Sequence, residues 1–592
     1  MIKTIENKIY GQLEKNRAGI RLILGIVLFL YAAYFNGRGI DISDTTYALG
    51  NYQHMDELDP MWIIATYMSN IIGRLLLSLP GTGTLYGITI YANCIFALFV
   101  EAVYIVLSRL IKPWLVFAAE LIAVGVYWCP KVIFYNSITY YLMTLAIFLL
   151  VYGLKENSSK FLIVSGTILG FNVFVRFSNA LESLLILGVW FYEIVEHHNI
   201  FEIAKKTVLC MAGYLFGFAV PLVLVVKKYD IDTYFDMIKS LFEMTHTARD
   251  YGDGVFRAMV YQIVDTFGNL RYLILLAILF AASFIIISKL FGDKTQNAKI
   301  LAAFVKISNV IALVFIWFYF FKKGIYTISY YEYSSIFRSV NMFIILAFAC
   351  NLLNVIGIIS NSSIFRSMSL ISLVQMLIAP IGTNNHMYAV MSNLFITAPL
   401  TFAVLHCIYE KLRNKRYRFA ITSVYIYIAW IAILQSFIFH LRFSYMDGNN
   451  GSRLDTKVTN ISRLDGLYTT KDKAYNLEGL YGYISDNGMT GYKAMFFGQD
   501  TAGLAYIMDI EPATNTLWPD LDSYTVSKYD QALSELKLQD EYLIIISSRL
   551  TYGSNVNTKK QMLEEFIIDN GCYKAYENEM YTLYSNIERS TF

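Results

Sequence analysis

Long apolar runs with almost no charged residues recur through roughly the first 440 residues of the chain. An uncharged apolar run of about 18 residues is long enough to cross a bilayer as a helix. Of the 592 residues, 16% are charged and 56% are hydrophobic, whereas soluble domains average about 25% charged. So few charges could not cover a soluble protein of this size, and the scattered apolar side chains exclude collagen, coiled coil and disorder. The sequence therefore predicts a polytopic membrane protein.

The runs predict about thirteen transmembrane helices and one helix that lies at the membrane surface. The surface segment, 61–79, has apolar residues interrupted by Ser69, Asn70 and Arg74, which is typical of an interfacial helix. The expected spans are roughly 19–35, 84–107, 113–129, 132–153, 161–175, 180–196, 207–226, 272–291, 300–321, 339–359, 367–381, 388–409 and 419–440.

The basic residues predict the orientation of these helices, because cytoplasmic loops carry an excess of Lys and Arg. Lys3, Lys8 and Lys15 precede the first span, so the N-terminus is expected in the cytoplasm. The first outer loop, 36–83, carries a run of acidic residues instead. An odd number of spans then places the C-terminus outside the cell membrane.

The chain becomes polar after Tyr445, and no further span follows. We therefore expect a transmembrane domain over residues 1–445 and an extracytoplasmic α/β domain over 446–592. Within the second, EYLIIISSR (541–549) is typical of a buried strand, and 573–585 alternates like a hairpin. The predicted fold class is mainly α, a transmembrane helical bundle with a C-terminal soluble α/β domain on the outer face.

Charge and cysteine content exclude several classes of partner. The net charge is +3 and the basic residues form no stripe, so nothing indicates nucleic-acid binding. The six cysteines lie far apart and show neither zinc-ligand spacing nor a disulfide framework.

Two carboxylates near the end of the first span are the first candidates for chemistry. Asp41 and Asp44 are three residues apart, which on a helical turn places both on one face. A carboxylate at a membrane boundary could act as general base on an acceptor hydroxyl, and two could hold a divalent cation such as Mg²⁺ or Mn²⁺. The alternative is that they cap a helix or lie solvated in the loop.

This arrangement resembles the C-type (GT-C) superfamily of membrane glycosyltransferases, which includes protein O-mannosyltransferases and aminoarabinose transferases of lipid A. In that superfamily a long first outer loop carries an essential acidic motif, and interfacial helices follow it. SDTTY (43–47) and PMWIIATYMSNIIGRLL (60–76) stand at the corresponding places. The resemblance implies that Asp44 is the catalytic aspartate and Tyr47 its nearby aromatic. Thr45 stands where many members have Glu, so Asp41 would have to supply the second carboxylate.

Basic and amide side chains at the outer ends of later spans are candidates for binding the substrate. The donors of the superfamily are polyprenyl-linked phosphosugars, and a guanidinium binds phosphate bidentately. Arg176, at the outer end of the fifth span, and Arg338, in a Tyr-rich outer loop, are candidates for holding that phosphate. Asn136 begins the fourth span on the same side. The alternatives are an arginine that snorkels to the headgroups and an asparagine that caps a helix.

The segment IAPIGTNNHMY (378–388) breaks an apolar stretch with a polar, irregular sequence. Irregular polar backbone at membrane depth is expected to line a cavity. Asn384, Asn385 and His386 are therefore predicted to line the substrate site. The alternative, for the tyrosines near this level, is the ordinary aromatic belt of a membrane interface.

Together these features lead to the expectation of a glycosyltransferase that moves a hexosyl or pentosyl group from a polyprenyl-phosphate donor to a glycan, lipid or protein acceptor on the outer face. No resident cofactor is required, and a divalent cation is left open. A transporter or flippase of lipid-linked glycan, and a glycan polymerase or ligase, remain alternatives. Glu101, Glu120 and Glu182, near or inside spans, support the transporter.

Overall fold

The structure is a computed structural model, and helices account for most of it. It describes residues 17–247 except 198, residues 296–587 except 384, 386, 413–417 and 540, and scattered positions between 248 and 295. A 3-10 helix, Phe177–Leu185, joins the helix that ends at Asn172 to the helix that begins at Ile186. The helices before the C-terminal domain are α1 Arg17–Ala32, α2 Asp44–Gln53, α3 Pro60–Ala65, α4 Tyr67–Leu77, α5 Leu85–Leu110, α6 Pro113–Gly125, α7 Tyr135–Lys155, α8 Ser159–Asn172, α9 Ile186–Glu196, α10 Ile200–Tyr229, α11 Ile231–Thr247, α12 Gln296–Lys322, α13 Phe337–Val355, α14 Ser363–Ile378, α15 Met387–Met391, α16 Thr397–Leu412 and α17 Arg418–Arg442.

Within the described residues, six helices are long and apolar enough to cross a membrane. Their exposed faces are covered with Leu, Ile, Val and Phe, as expected where the neighbouring medium is lipid. The chain is therefore a multi-pass membrane protein, as predicted. The six are Leu85–Leu110, Tyr135–Lys155, Phe177–Glu196, Ile200–Tyr229, Phe337–Val355 and Tyr425–Arg442.

Fewer helices than the thirteen predicted are long and apolar enough to cross a membrane among the described residues. Three further apolar helices, Ala18–Ala32, Pro113–Gly125 and Ser363–Ile378, are shorter than a full span. The predicted span 388–409 falls on α15 and α16, which non-helical residues 392–396 separate. The predicted span 272–291 lies among the scattered positions, so the count of thirteen stays a prediction.

The segment expected at the membrane surface forms two short helices, α3 and α4, which meet at Thr66. With a rise of about 1.5 Å per residue, neither reaches the roughly 30 Å of a bilayer core. Asp59 caps α3 by accepting from the Met61 amide at 2.8 Å. Arg74 on α4 pairs with Asp56 of the preceding loop at 2.7 Å. The first outer loop is thus a folded helical unit.

The helices α8 and α10 pack with their backbones in contact, because glycines face each other along the seam. A Cβ added to Gly170 on α8 would collide with the carbonyl oxygen of Tyr214 on α10, and one added to Gly217 would collide with that of Thr167. Small residues allow such close approach between membrane helices. The seam fixes the end of α8, four residues before Arg176.

The C-terminal domain has a four-stranded sheet in the order β3-β4-β6-β5 and a separate two-stranded ladder, β1-β2. The predicted strand is β4, and the predicted hairpin is β5-β6. β3 and β4 are parallel, whereas the other pairs are antiparallel. The elements are β1 Thr456–Lys457, β2 Tyr468–Thr469, α18 Lys471–Asp486, β3 Lys493–Phe497, α19 Leu504–Met508, α20 Val526–Leu536, β4 Tyr542–Ser547, α21 Val556–Asp569, β5 Tyr573–Glu577 and β6 Tyr581–Ser585.

The C-terminal domain packs directly on the first outer loop. Gly39 donates its amide to the carbonyl of Tyr468 at 2.8 Å, and the amide of Tyr468 donates to Gly37 at 2.9 Å. Gly503, before α19, lies so close to α2 that an added Cβ would collide with Thr46. The domain therefore holds α2, which begins with Asp44, in place.

Candidate active site

The chain turns sharply before α2, and Asp41 holds that turn. Its carboxylate accepts from the Ser43 amide at 2.9 Å, the Ser43 hydroxyl at 2.6 Å and the Thr45 amide at 2.6 Å. The Asp41 side chain is almost completely buried. These bonds satisfy free amides at the start of a helix, so Asp41 acts as a helix cap, one of the roles that its sequence position allowed.

Asp44 is the first residue of α2 and is half-buried. Its Oδ2 accepts a hydrogen bond from the Tyr445 hydroxyl at 2.7 Å. Burial, followed by the negative charge of Asp41, raises the pKa of Asp44 to about 6, while the Tyr445 bond opposes this rise. Burial also raises the pKa of Asp41. A carboxyl group that titrates near neutrality is suited to accept a proton from a substrate.

Tyr445 belongs to an aromatic wall, a group of packed rings that the sequence did not predict. The wall consists of Trp128, Tyr333, Tyr388 and Tyr445. The Trp128 ring stacks on Tyr333 with centroids 4.5 Å apart and lies parallel to Tyr445 at 6.0 Å. Its indole N–H donates to the carbonyl of Tyr388 at 2.9 Å. Four distant segments thus contribute flat ring surfaces beside Asp44.

Arg176 is brought together with two of the other predicted site elements. Its guanidinium donates to Asn136 Oδ1 at 3.0 Å and to the carbonyl of Gly382, in the loop 378–388, at 2.5 Å. It also lies 5.6 Å from the centroid of the Tyr135 ring. Tyr135 is close enough to both Arg176 and Asp44 to sense both charges. An arginine has five N–H donors, so donors remain for an anionic ligand.

A buried acid lies behind Arg176. Asn172 donates its side-chain amide to both carboxyl oxygens of Glu182, at 3.0 and 2.9 Å. Asn179 donates to Thr139 Oγ1 at 2.7 Å and to the carbonyl of Asn172 at 2.9 Å. These bonds fix the 3-10 helix that follows Arg176, and so they help to orient its side chain.

Among the other predicted site residues, Tyr47 lies close enough to Asp44 to sense its charge, and the Asn385 carbonyl accepts from the Tyr388 amide at 3.0 Å. Arg338 donates to the main-chain oxygen of Lys323 just beyond α12. Tyr47 packs edge-to-face against Trp518 of the C-terminal domain at 5.6 Å. Asn385 lies in a turn, where its amide donates to Thr383 Oγ1 at 3.0 Å. Asn384 and His386 lie outside the described residues.

Lys131 is a second residue that sequence reasoning missed. It lies in the loop between α6 and α7 and lines a cavity of about 570 Å³, including its open mouth, together with Asp41, Thr45 and Tyr445. Burial lowers the pKa of Lys131 to about 8. The available signal was a lysine on the side predicted to be outer, against the usual distribution of basic residues.

The two aspartates make a poor site for a divalent cation by themselves. Among the described residues, no group of three or more His, Cys, Asp or Glu side chains could hold a metal. Both oxygens of Asp41 already accept hydrogen bonds from Ser43 and Thr45. A cation at this place would therefore take most of its ligands from substrate or water.

No family model and no curated protein matches the chain. Its structure is similar to the Archaeoglobus fulgidus oligosaccharyltransferase crystallised with a tethered acceptor peptide, at 11% identity and a TM-score of 0.45, over 90% of this chain and 69% of that one. It is also similar to ArnT from Cupriavidus metallidurans bound to undecaprenyl phosphate, at 10% identity and a TM-score of 0.40, over 96% and 98%.

Proposed function

We propose that the protein transfers a sugar from a polyprenyl-phosphate donor to an acceptor hydroxyl at the outer face of the membrane. The observation that carries this proposal is the hydrogen-bonded pair of Asp44 and Tyr445, with an Asp44 pKa of about 6. Tyr445 of this pair belongs to the aromatic wall, and Tyr135 lies close to both Asp44 and Arg176. The N-terminus is cytoplasmic and the domain 446–592 is extracytoplasmic in this proposal. The acceptor is a glycan, a lipid or a protein.

Asp44 is the general base. Its free carboxylate oxygen takes the proton of the acceptor hydroxyl while the hydroxyl oxygen attacks the anomeric carbon of the donor. The bond between that carbon and the phosphate oxygen breaks, and its electron pair leaves with the polyprenyl phosphate. Attack opposite the leaving group inverts the anomeric configuration. Asp41 supports this step by holding the start of α2 and by raising the pKa of Asp44.

Arg176 holds the phosphate of the donor. Its guanidinium offers N–H donors to the phosphate oxygens, and the positive charge stabilises the negative charge that grows on the leaving group. Asn136 and the Gly382 carbonyl fix the orientation of the guanidinium. Arg338 is bound to a helix end, so we assign it no direct phosphate contact.

The aromatic wall forms the surface on which the donor sugar lies. Stacked rings offer apolar faces to the C–H groups of a sugar and restrict access of water to the anomeric carbon. Exclusion of water matters because water would otherwise replace the acceptor hydroxyl as nucleophile. Asn384, Asn385 and His386 are proposed to contribute polar contacts to the same sugar.

The test is a transfer assay with purified full-length protein in lipid nanodiscs. Radiolabelled polyprenyl-phosphate sugars, hexosyl and pentosyl, are incubated with membrane extracts as acceptor, and the label released from the donor is measured. D44N is expected to slow transfer by roughly a hundredfold or more, because the base is lost. D455N, at an exposed position in the C-terminal domain, is the matched control. A D44N protein with the full rate would overturn the mechanism.

Transport of a lipid-linked glycan is the alternative function, and one observation favours it. Glu120 on α6 is fully buried, and neither of its carboxyl oxygens has a hydrogen-bond partner among the described residues. Acidic residues within the membrane often mark transport pathways. Movement of a fluorescent lipid-linked sugar across vesicles, lost in E120Q and kept in D44N, would support transport over transfer.

A further inference from the structure

Lys131 lines a cavity whose walls do not include Arg176. Residues at the outer ends of three membrane helices form it: Tyr34 and Phe35 follow α1, Leu85 begins α5, and His440 lies near the end of α17. Leu467 of the C-terminal domain closes one side. Neither Arg176 nor its neighbours Asn136 and Tyr135 line this cavity. Tyr445 does line it, and the same residue binds Asp44.

Two basic side chains, Lys131 and Arg38, line this cavity, and Asp41 is the acidic side chain in its lining. Among the described residues, no hydrogen bond or ion pair joins the Lys131 ammonium or the Arg38 guanidinium to another group. Asp41 also lines the cavity, but Ser43 and Thr45 occupy both of its oxygens. His440 is bound to the carbonyl of Tyr31 at 2.8 Å. Lys131 is half-buried, whereas Arg38 is exposed. A bound anion would offset the cost of desolvating the Lys131 ammonium, and Arg38 would add a solvent-accessible positive charge.

Part of the remaining wall is apolar and lies at the membrane boundary. Phe35, Leu85, Phe443 and Leu467 contribute the apolar part, and Asn36, Thr45, Thr89 and Ser444 contribute polar groups. The outward faces of α1 and α5 expose large apolar residues such as Leu30 and Leu98, so lipid chains can lie next to the cavity. A basic centre with apolar walls matches an amphiphile that carries an acidic head.

We propose that this cavity binds a phosphate group of the acceptor, with Lys131 and Arg38 as its ligands. The inference rests on the proposed function and deepens it: the donor phosphate is held at Arg176, the acceptor phosphate at Lys131, and Asp44 takes the proton between them. The phosphate anchors the acceptor and is not the attacking group. The acceptor is therefore a phosphorylated molecule, either a lipid or a soluble phosphorylated glycan.

The test measures protection of Lys131 from an amine-acylating reagent, read by mass spectrometry at pH 8. Full-length protein is placed in phosphatidylcholine nanodiscs as the reference, and in nanodiscs that also contain phosphatidic acid as the lipid probe. Inorganic phosphate added to the phosphatidylcholine nanodiscs is the soluble probe, and chloride at equal ionic strength is its control. Acylation of Lys131 is expected to fall several-fold with a phosphate probe, whereas exposed Lys471 serves as the reference. Protection by phosphatidic acid alone assigns a lipid acceptor. Protection by inorganic phosphate as well assigns a soluble one. No protection by either probe overturns the inference.

Variants separate this site from the catalytic proposal. K131Q is expected to raise the KM for the acceptor roughly tenfold or more with a smaller effect on kcat, and K131R to restore it, because the arginine keeps the charge. K471Q is the matched control. D44N is expected to slow transfer roughly a hundredfold or more and to keep the protection of Lys131. An active D44N protein would contradict the proposed function alone, and an unchanged KM in K131Q would contradict the anion site alone.

The alkaline side of the pH profile gives a further readout. The titratable groups that line the cavity with Lys131 are Tyr34, Arg38, Asp41, His440 and Tyr445. Acceptor binding is expected to weaken as the pH rises through about 8, where Lys131 loses its proton. The K131R protein is expected to bind acceptor equally well above that pH. A wild-type KM that stays constant from pH 7 to 9.5 would contradict the role of the ammonium.

Discussion

At the scale of single residues, the protonation of Asp44 is expected to control the rate. The base must be a carboxylate, so kcat/KM is expected to rise with pH through the Asp44 pKa of about 6. The Tyr445 hydroxyl stabilises the carboxylate by donating to it. Y445F removes that bond, which raises the Asp44 pKa further, so the acid limb is expected to move up by about one pH unit.

The measurement is kcat/KM from pH 4.5 to 8 for wild type and Y445F. Y481F is the matched control, because Tyr481 lies in the C-terminal domain away from Asp44. An acid limb that moves down in Y445F, or does not move, would show that Tyr445 does not stabilise the ionised base.

The sequence could identify Asp44 because its acidic neighbours and its place after the first span are local features. It could not identify Tyr445, which lies 401 positions away and meets Asp44 only when α17 and the C-terminal domain are in place. The sequence could not identify Lys131 for the same reason, because the ends of helices that are remote in sequence form its cavity. Asn136 and Arg176 were each chosen separately, and their 3.0 Å bond depends on the packing of α7 and α8.

At the scale of elements, the seam between α8 and α10 is expected to decide whether Arg176 is positioned at all. A side chain at Gly170 would collide with the Tyr214 carbonyl, so G170V is expected to push the two helices apart. The end of α8 would move, and with it Arg176. We expect G170V to lower the thermal midpoint in detergent and the affinity for the donor.

G482A is the matched control for this substitution. Gly482 lies in α18, and an added Cβ would have no atom within 4 Å. Because alanine is the better helix former by about 1 kcal/mol, G482A is expected to leave the thermal midpoint unchanged or slightly raised. Equal behaviour of the two variants would mean that the seam does not hold α8.

Six of the thirteen predicted spans coincide with helices that are long and apolar enough to cross a membrane, because long apolar runs have few alternatives in lipid. Hydropathy could not predict the break at residues 392–396 between α15 and α16. Ser392 and Asn393 there are buried, and Gln375 on α14 donates to the Asn393 carbonyl at 3.3 Å. Hydrogen bonds from neighbouring helices satisfy main-chain groups that the break leaves without a helical partner. The hydropathy pattern of the sequence contains no information about these bonds.

At the scale of the whole molecule, the outer loop and the C-terminal domain form one folded unit above the membrane helices. Lys528 pairs with Asp59 at 2.7 Å, and Lys473 pairs with Asp447 at 2.7 Å while also donating to the carbonyl of Ile40. These bonds connect the domain to both sides of α2. The site therefore depends on the domain as a support, whichever acceptor it binds.

The same arrangement predicts which side of the membrane each part occupies. Arg176 can hold a donor at the outer face, and the Lys131 cavity an acceptor there, only if the C-terminal domain lies on that face. Y552C, at a side chain that is 90% exposed, is expected to react with a membrane-impermeant maleimide in intact cells. E156C, in the turn between α7 and α8, is expected to react only after the cells are opened. Both are made in a C94S background, because Cys94 is itself exposed. Reversed labelling would place Asp44 on the cytoplasmic face, and the donor would then have to be used before it crosses the membrane.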